Sequence, residues 1–331
     1  MKPLFKLLLL AILSLPFQAL MAWDSVGHRL SAAVAMEFLS NDSKAQLLTI
    51  LEQHPRFEAD FLAQMPGFID TSDDEQMLVW LLGQAAFWPD LARSLGANAA
   101  QHYNHPPWHY IDGAWVRGAV SAQGNIYVGV ASFADIDGAD AASIRTEQQA
   151  DNIITALDYN TTVLADDNRA PAERAVALCW VLHLIADIHQ PLHTGSLFSA
   201  GVFKRGDRGG NGIATDAGNL HSRWDRSLSA AGLVETLPLV LQELAAIAPT
   251  EIQTMASDWS QWMAESREIL LTNVYTEVMR TEIAAADRSG RRLPTSPLAS
   301  AYVTQMQDIS RQRIGLAGLR LAIWIENNLI P

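Results

Sequence analysis

The segment 171–188 constrains the fold more than any other stretch of the chain. It is apolar almost throughout, yet it sets His183 and Asp187 four positions apart. That spacing places an imidazole and a carboxylate on one helix face. A helix that is apolar all round is a buried helix. A buried imidazole and carboxylate require hydrogen-bonding partners or a metal. Pro171 and Glu173 mark the start of the helix, and Pro191 stops it and returns His193 from a loop.

Helical apolar spacing recurs along most of the chain. Helices are expected over 26–39, from a cap at Asp42 or Ser43 to about 54, from Asp73 and Asp74 to about 87, and over 143–164. Further helices are expected over 238–247, 251–271 and 300–327. Strand signals are few: Gly124-Asn-Ile-Tyr-Val reads as one arm of a short hairpin. The segment 201–218, rich in Gly, Asp and Arg, reads as a loop. No repeat or linker separates independent domains. The expectation is a mainly α protein: a single compact multi-helix domain with long loops and at most a short β-hairpin.

The N-terminus carries the features of a secretory signal. Lys2 and Lys6 precede an apolar run over 7–15, and Ala22 is a small residue at the expected cut. This divides the chain into a signal peptide, 1–22, and a functional domain, 23–331. The alternative is an uncleaved N-terminal anchor, for which the apolar run is short. No later segment is apolar enough to span a bilayer, so a secreted or periplasmic protein is expected. Cleavage after Ala22 would make Trp23 the first residue. Its free amine and carbonyl could then chelate a metal beside His28. Cys179, the single cysteine, lies in an apolar run and reads as core. A secreted chain without a disulfide suggests a bacterial envelope. The net charge of -13 argues against a nucleic-acid binder that works through a broad basic surface. It leaves room for a nucleic-acid enzyme whose positive charge comes from bound metal.

A second H-x-x-x-D pair, His221 and Asp225, lies in Asn219-Leu-His-Ser-Arg-Trp-Asp, with His193 between the two pairs. Imidazole and carboxylate without thiolate suit zinc bound for hydrolysis rather than a structural site. Upstream, Trp88-Pro-Asp90-Leu-Ala-Arg93 sets a carboxylate and a guanidinium three apart, which could also be a local salt bridge. Trp108-His109-Tyr110-Ile111-Asp112 joins a histidine, an aromatic ring and an acid. His54, His102, His105 and His189 fit no role in this pattern.

Taken in order, these motifs resemble the trinuclear-zinc single-strand nucleases, the S-one/P-one nuclease and 3'-nucleotidase family. The motifs are Trp23 with His28, Trp88-Pro-Asp90-x-x-Arg93, Trp108-His109-Tyr-Ile-Asp112, His183-x-x-x-Asp187 with His193, Asp207-Arg-Gly-Gly-Asn211, and Asn219-Leu-His221-x-x-Trp-Asp225. The resemblance implies the helical fold shared by zinc phospholipases C and these nucleases, with three zinc ions per chain. Asp90, His109, His183 and Asp187 would hold the first. The Trp23 amine and carbonyl, His28 and the other Asp187 oxygen would hold the second. His193, His221 and Asp225 would hold the third. Pro89 and Tyr110 depart from the family's usual small residue and Phe.

The implied reaction is hydrolysis of single-stranded DNA and RNA to 5'-phosphate products, with 3'-nucleotides as further substrates. A zinc-bridged hydroxide would attack phosphorus, with Asp90 orienting it and Arg93 stabilising the transition state. Tyr110 would stack on a base, Asp112 would bond its edge, and Asn211 would contribute to substrate binding. Stacking of this kind needs a base free of its duplex neighbours. No obligate protein partner is expected. The competing readings are a zinc phospholipase C and a non-catalytic envelope zinc-binding protein. Asp90 with Arg93, and Tyr110 with Asp112, fit nucleotides better than choline headgroups.

Overall fold

The computed structural model describes residues 23–111, 124–132, 146–247 and 258–329. The segment 171–188 forms the expected central helix, α6 (Pro171–Asp187), opened by Pro171 at its first turn. Every residue from Ala177 to Asp187 is buried. Around it lie α1 (Ser25–Phe38), α2 (Asn41–Leu51), α3 (Asp74–Ala92), α4 (Ala97–Tyr103) and α5 (Ile153–Ala165). The remainder comprises α7 (Leu220–Asp225), α8 (Gly232–Leu244), α9 (Trp259–Ile269), α10 (Glu277–Ser289) and α11 (Ser300–Asn328). α5 and α3 pack on α6, and α1 is held between α3 and α11. The protein is mainly α, as expected.

Side-chain caps fix where these helices begin. Asp24 accepts from the amides of Val26 and Gly27, Asp73 from those of Glu75 and Gln76, and Asn152 from those of Ile154 and Thr155. Asn219 and Ser222 form a reciprocal capping box on α7. Three buried clusters make up the core. One includes Trp88, Trp108 and Trp180; a second includes Leu192, Leu220 and Trp224; a third includes Trp23 and Ala186. Each cluster therefore contains close chain neighbours of the polar motif residues.

Several expectations on local structure are corrected. α3 does not stop near 87 but runs to Ala92 with Pro89 inside it, so Asp90 and Arg93 sit on its last turn rather than in a loop. The bond lost at Pro89 costs about 3 kcal/mol, which burial of Trp88, Pro89 and Ala92 offsets. α8 likewise begins at Gly232 and passes through Pro238; Val234, whose carbonyl the proline leaves without a helix bond, is exposed. Ser40 rather than Asp42 or Ser43 caps α2, and Glu147–Gln149 is a separate 3-10 turn before α5. α9 begins at Trp259 and passes into a wider turn, Leu270–Val274. α10 was not anticipated, although its buried Met279, Ile283 and Ala286 recur at helical spacing.

The 124–128 segment is not a hairpin arm. β1 (Ile126–Val128) pairs in parallel with the distant β2 (Leu197–Ser199), Ile126 opposite Leu197. The one hairpin among the described residues joins β3 (Ala214–Thr215) to β4 (Gly218–Asn219) inside the glycine-rich loop. The proposed signal at 1–22 lies outside the described residues. Among the described residues no helix is long and apolar enough to cross a membrane.

The crossing of α1 and α11 depends on Gly318. A Cβ there would lie 2.6 Å from both the Ser31 carbonyl oxygen and Val34 Cβ. Gly318→Ala should therefore destabilise the fold by about 1–3 kcal/mol, the usual range for overpacking a core. Urea unfolding followed by circular dichroism measures this directly, and an unchanged midpoint would contradict the close approach.

Candidate metal centre

Asp187 is the hub of the site. It ends α6 fully buried, with His183 one turn before it. Its Oδ2 lies 3.1 Å from His183 Nε2 and 3.1 Å from His109 Nδ1. Its Oδ1 lies 3.5 Å from His28 Nε2 and 3.7 Å from His193 Nδ1. Four elements meet there. α1 brings His28, whose ring stacks on that of His183 at 3.9 Å. The 3-10 turn Pro106–His109 brings His109, and the turn Pro191–His193 brings His193. The last turn of α3 brings Asp90, held by Arg93 Nη2 at 2.8 Å.

α7 supplies the third group. His221 Nε2 is 3.4 Å from Asp225 Oδ2, and His193 Nε2 is 3.9 Å from Asp225 Oδ1. The His193 and His221 rings stack 5.0 Å apart. Three combinations of side chains converge closely enough to hold a cation: His28, Asp90 and His183; His109, His183 and Asp187; and His193, His221 and Asp225. The His and Asp side chains expected as ligands are thus brought together, with His28 beside Asp90 and His183 as well as Asp187.

Backbone carbonyls hold the imidazoles in place. Nδ1 of His183 donates to the Ala86 carbonyl at 2.8 Å, that of His193 to His109 at 2.7 Å, and that of His221 to Gly209 at 2.6 Å. Because a carbonyl can only accept, each Nδ1 carries the proton and each Nε2 presents a lone pair, the arrangement of a metal-ligating imidazole. Gly209 is required for its part in this. It has φ +56, and a Cβ there would lie 2.2 Å from the Leu192 carbonyl oxygen. Asp207, in the same loop, accepts from Leu197 N and Gly210 N and from the Tyr275 hydroxyl. Gln190 was not singled out from sequence, yet its buried amide donates to Asp225 Oδ1 at 2.8 Å.

The electrostatics favour a cation. Burial pushes Asp187 and Asp225 well above the ordinary carboxylate range, and pushes Asp90 up to about 6. Burial also lowers His28, His109 and His193 well below the usual imidazole value and His183 to about 4, so the rings are neutral at pH 7. Arg93 adds to the lowering at all four rings. Several buried atoms find no hydrogen bond: both ring nitrogens of His28, Nε2 of His109 and His193, Oδ2 of Asp90 and Oδ1 of Asp187. Isolated polar atoms of this kind are costly. Orphans converging from five elements fit bound metal, and the oxygen and nitrogen donors without thiolate suit zinc.

Other expected residues flank the centre. Trp23 is buried, and its indole donates to the Ala186 carbonyl at 3.0 Å, one residue before the hub. Asp24 N bonds the Asp225 carbonyl at 3.2 Å, so this stretch of chain runs between two ligand-bearing helices. Tyr110 is half-buried, and its neighbour Ile111 donates to the His193 carbonyl at 2.8 Å. Asn211 bonds the Arg208 carbonyl and the Asn219 side chain. Asp112 lies outside the described residues. Of the histidines without an expected role, His54 packs edge-on against Trp88 and His105 stacks on Trp108. His189 is buried beside Arg320.

A helical frame that gathers neutral imidazoles and carboxylates into adjoining cation-sized groups, with an arginine beside them, has the layout of a multi-metal hydrolase. The chain matches the S1/P1 Nuclease family over residues 23–329 and belongs to that family. It is 23% identical to Nuclease S1 of Aspergillus oryzae over 317 residues, which cover 92% of this chain and 91% of that protein. It is 28% identical to Endonuclease 4 of Arabidopsis thaliana over 197 residues, covering 54% of this chain and 60% of the relative. The family and these relatives make the protein a nuclease, a hydrolase acting on nucleic acid.

Stripping metal should destabilise the protein, because the buried carboxylates lose their compensating charge. Chelation should lower the melting temperature, and zinc should restore it in a concentration-dependent way. At a free metal concentration of 100 times Kd, one site contributes about 2.7 kcal/mol. Scanning calorimetry with and without chelator tests this; identical melting curves would argue against a metal centre.

Proposed function

We propose that the protein is a zinc-dependent endonuclease that hydrolyses single-stranded DNA and RNA to 5'-phosphate products, with 3'-nucleotidase activity. It holds three zinc ions and acts as a secreted or periplasmic enzyme after loss of residues 1–22. The observation that carries this reading is the gathering of four buried imidazoles, His28, His109, His183 and His193, within 3.7 Å of the Asp187 carboxylate, beside buried ring nitrogens of His28, His109 and His193 that find no hydrogen bond. The proposed ligands are Asp90, His109, His183 and Asp187 for one ion, and Trp23, His28 and Asp187 for a second. His193, His221 and Asp225 hold the third. Bound zinc supplies Lewis-acid charge and activates water at neutral pH.

The chain's own groups divide the remaining work. Asp90 has an unpaired buried Oδ2 facing the centre and serves to orient the attacking water. Arg93 is held by Asp90 through one amine, while its buried Nε has no hydrogen bond. That donor is available to a phosphate oxygen as negative charge builds in the transition state. Tyr110 adjoins the ligand His109 and offers an aromatic face to a base, with Asp112 next but one in the chain. A base can reach that face only when unstacked from a duplex, which is the physical basis proposed for single-strand preference. Asn211, beside the Asn219 cap of α7, completes the proposed substrate contacts. The cationic centre also explains how a protein of charge -13 engages a polyanion.

The test uses protein beginning at Trp23, assayed on single-stranded DNA, single-stranded RNA, duplex DNA and 3'-mononucleotides, before and after zinc removal. Zinc-dependent release of 5'-nucleotides from the single strands supports the reading; metal-independent cleavage would overturn it. Arg93→Ala should lower kcat by roughly 100-fold or more with metal content unchanged, the scale of a lost transition-state donor. An added residue before Trp23 removes the proposed free amine. It should weaken one zinc by at least the roughly 10–100-fold typical of lost outer partners. Equal zinc retention in the extended and native forms, measured by atomic emission after dialysis, would exclude the amine as a ligand.

A further inference from the structure

The segment 188–194 joins the hub Asp187 to His193, and it also carries Gln190, which orients Asp225. Two elements of the third group therefore depend on a turn with little regular structure of its own. Behind that turn lies a buried charged network drawn from α9 and α11. Ser266 Oγ donates to the Ile188 carbonyl at 2.6 Å, Arg313 Nε to the His189 carbonyl at 3.2 Å, and Arg267 Nε to the Thr194 carbonyl at 2.7 Å. The His189 ring donates from Nδ1 to the Ile185 carbonyl at 2.7 Å and accepts at Nε2 from Arg320 Nη1 at 2.8 Å.

Glu265 ties the network together. It accepts from Arg313 Nη1 at 2.9 Å and from both amines of Arg320 at 2.7 Å, while Arg313 Nη2 also reaches Ser266 Oγ at 2.8 Å. Arg313, Arg320, Arg267 and His189 are all buried. Burying three guanidiniums is expensive, and each of the three donates to this turn: Arg313 and Arg267 to its carbonyls and Arg320 to the His189 ring. The hub itself does not need them. Asp187 and His183 are carried by a helix packed on α3 and α5 and anchored through the Ala86 carbonyl. His193 and Gln190 have no such helix.

We propose that Glu265, Arg313, Arg320 and His189 form a brace whose task is to hold the 188–194 turn in the register that completes the third metal group. It is a positioning device, distinct from the ligands, and it rests on the trinuclear reading above. Its loss should release one metal selectively. The pair around Asp187 should remain.

The test is stepwise zinc release from the loaded protein in a graded chelator series, with bound zinc counted by atomic emission. Circular dichroism of each metal-free form monitors the fold. Arg313→Met should shift release of one of three zincs to a roughly 10–100-fold lower chelator concentration, leaving the other two as in the parent. Its kcat should recover in excess zinc with KM unchanged. Glu265→Gln, at a half-buried position, should give the same selective pattern more weakly, and it serves alone if Arg313→Met does not fold. Arg311→Met, on the same long helix as Arg313, removes pairs to Glu243 of α8 and to Asp308 and should behave as the parent. Parent-like release in the brace variants, or equal weakening of all three zincs, would overturn the brace. Fewer than three zincs in the parent itself would overturn the trinuclear reading and the brace together, so the two failures are distinguishable.

Discussion

The structure depends on one electrostatic constraint: a carboxylate, Asp187, fully buried at the end of a helix that is buried from Ala177 onward. A lone charge there is untenable. The frame around it supplies neutral imidazoles, each presenting a lone pair, and the cation that would satisfy them all is the natural complement. The same constraint accounts for how α1, α3, α6 and the two 3-10 turns meet. Each contributes a side chain that would be a liability anywhere else in the core. Apolar neighbours of those side chains, Trp88, Trp108, Trp180, Leu192 and Trp224, do the packing that brings them together.

Around this centre the protein uses backbone as much as side chain. The carbonyls of Ala86, His109 and Gly209 select the imidazole tautomers. Those of Ile188, His189 and Thr194 are in turn held by groups from α9 and α11. The metal centre is thus set into two layers of hydrogen bonds, the outer one reaching the C-terminal helix. This explains why the ends of the described chain take part in one site. Trp23 bonds next to the hub, and Arg313 and Arg320 brace the turn beyond it.

Much of this was legible in the sequence, for identifiable reasons. The 171–188 helix was readable because apolar periodicity and a proline start are local signals. The ligand types were readable because H-x-x-x-D puts both groups on one helix face. A proline usually ends a helix, so the sequence predicts a stop for α3 near 87, whereas burial of the residues around Pro89 carries it one turn further. The pairing of the strand at 126–128 is not legible in the sequence because its partner lies about seventy residues away, and parallel pairing leaves no turn signal.

The sequence by itself determined the fold class, the family resemblance and the identities of the candidate ligands, because each follows from residue type and short-range spacing. Only the tertiary structure brought His28, His109, His183 and His193 around Asp187 and placed Gln190 against Asp225. It alone revealed the brace of Glu265, Arg313, Arg320 and His189. The physical reason is that these relations run through backbone carbonyls and through contacts between residues far apart in the chain. A carbonyl has the same chemistry at every position, so nothing in the residue string marks the one that will hold a ligand.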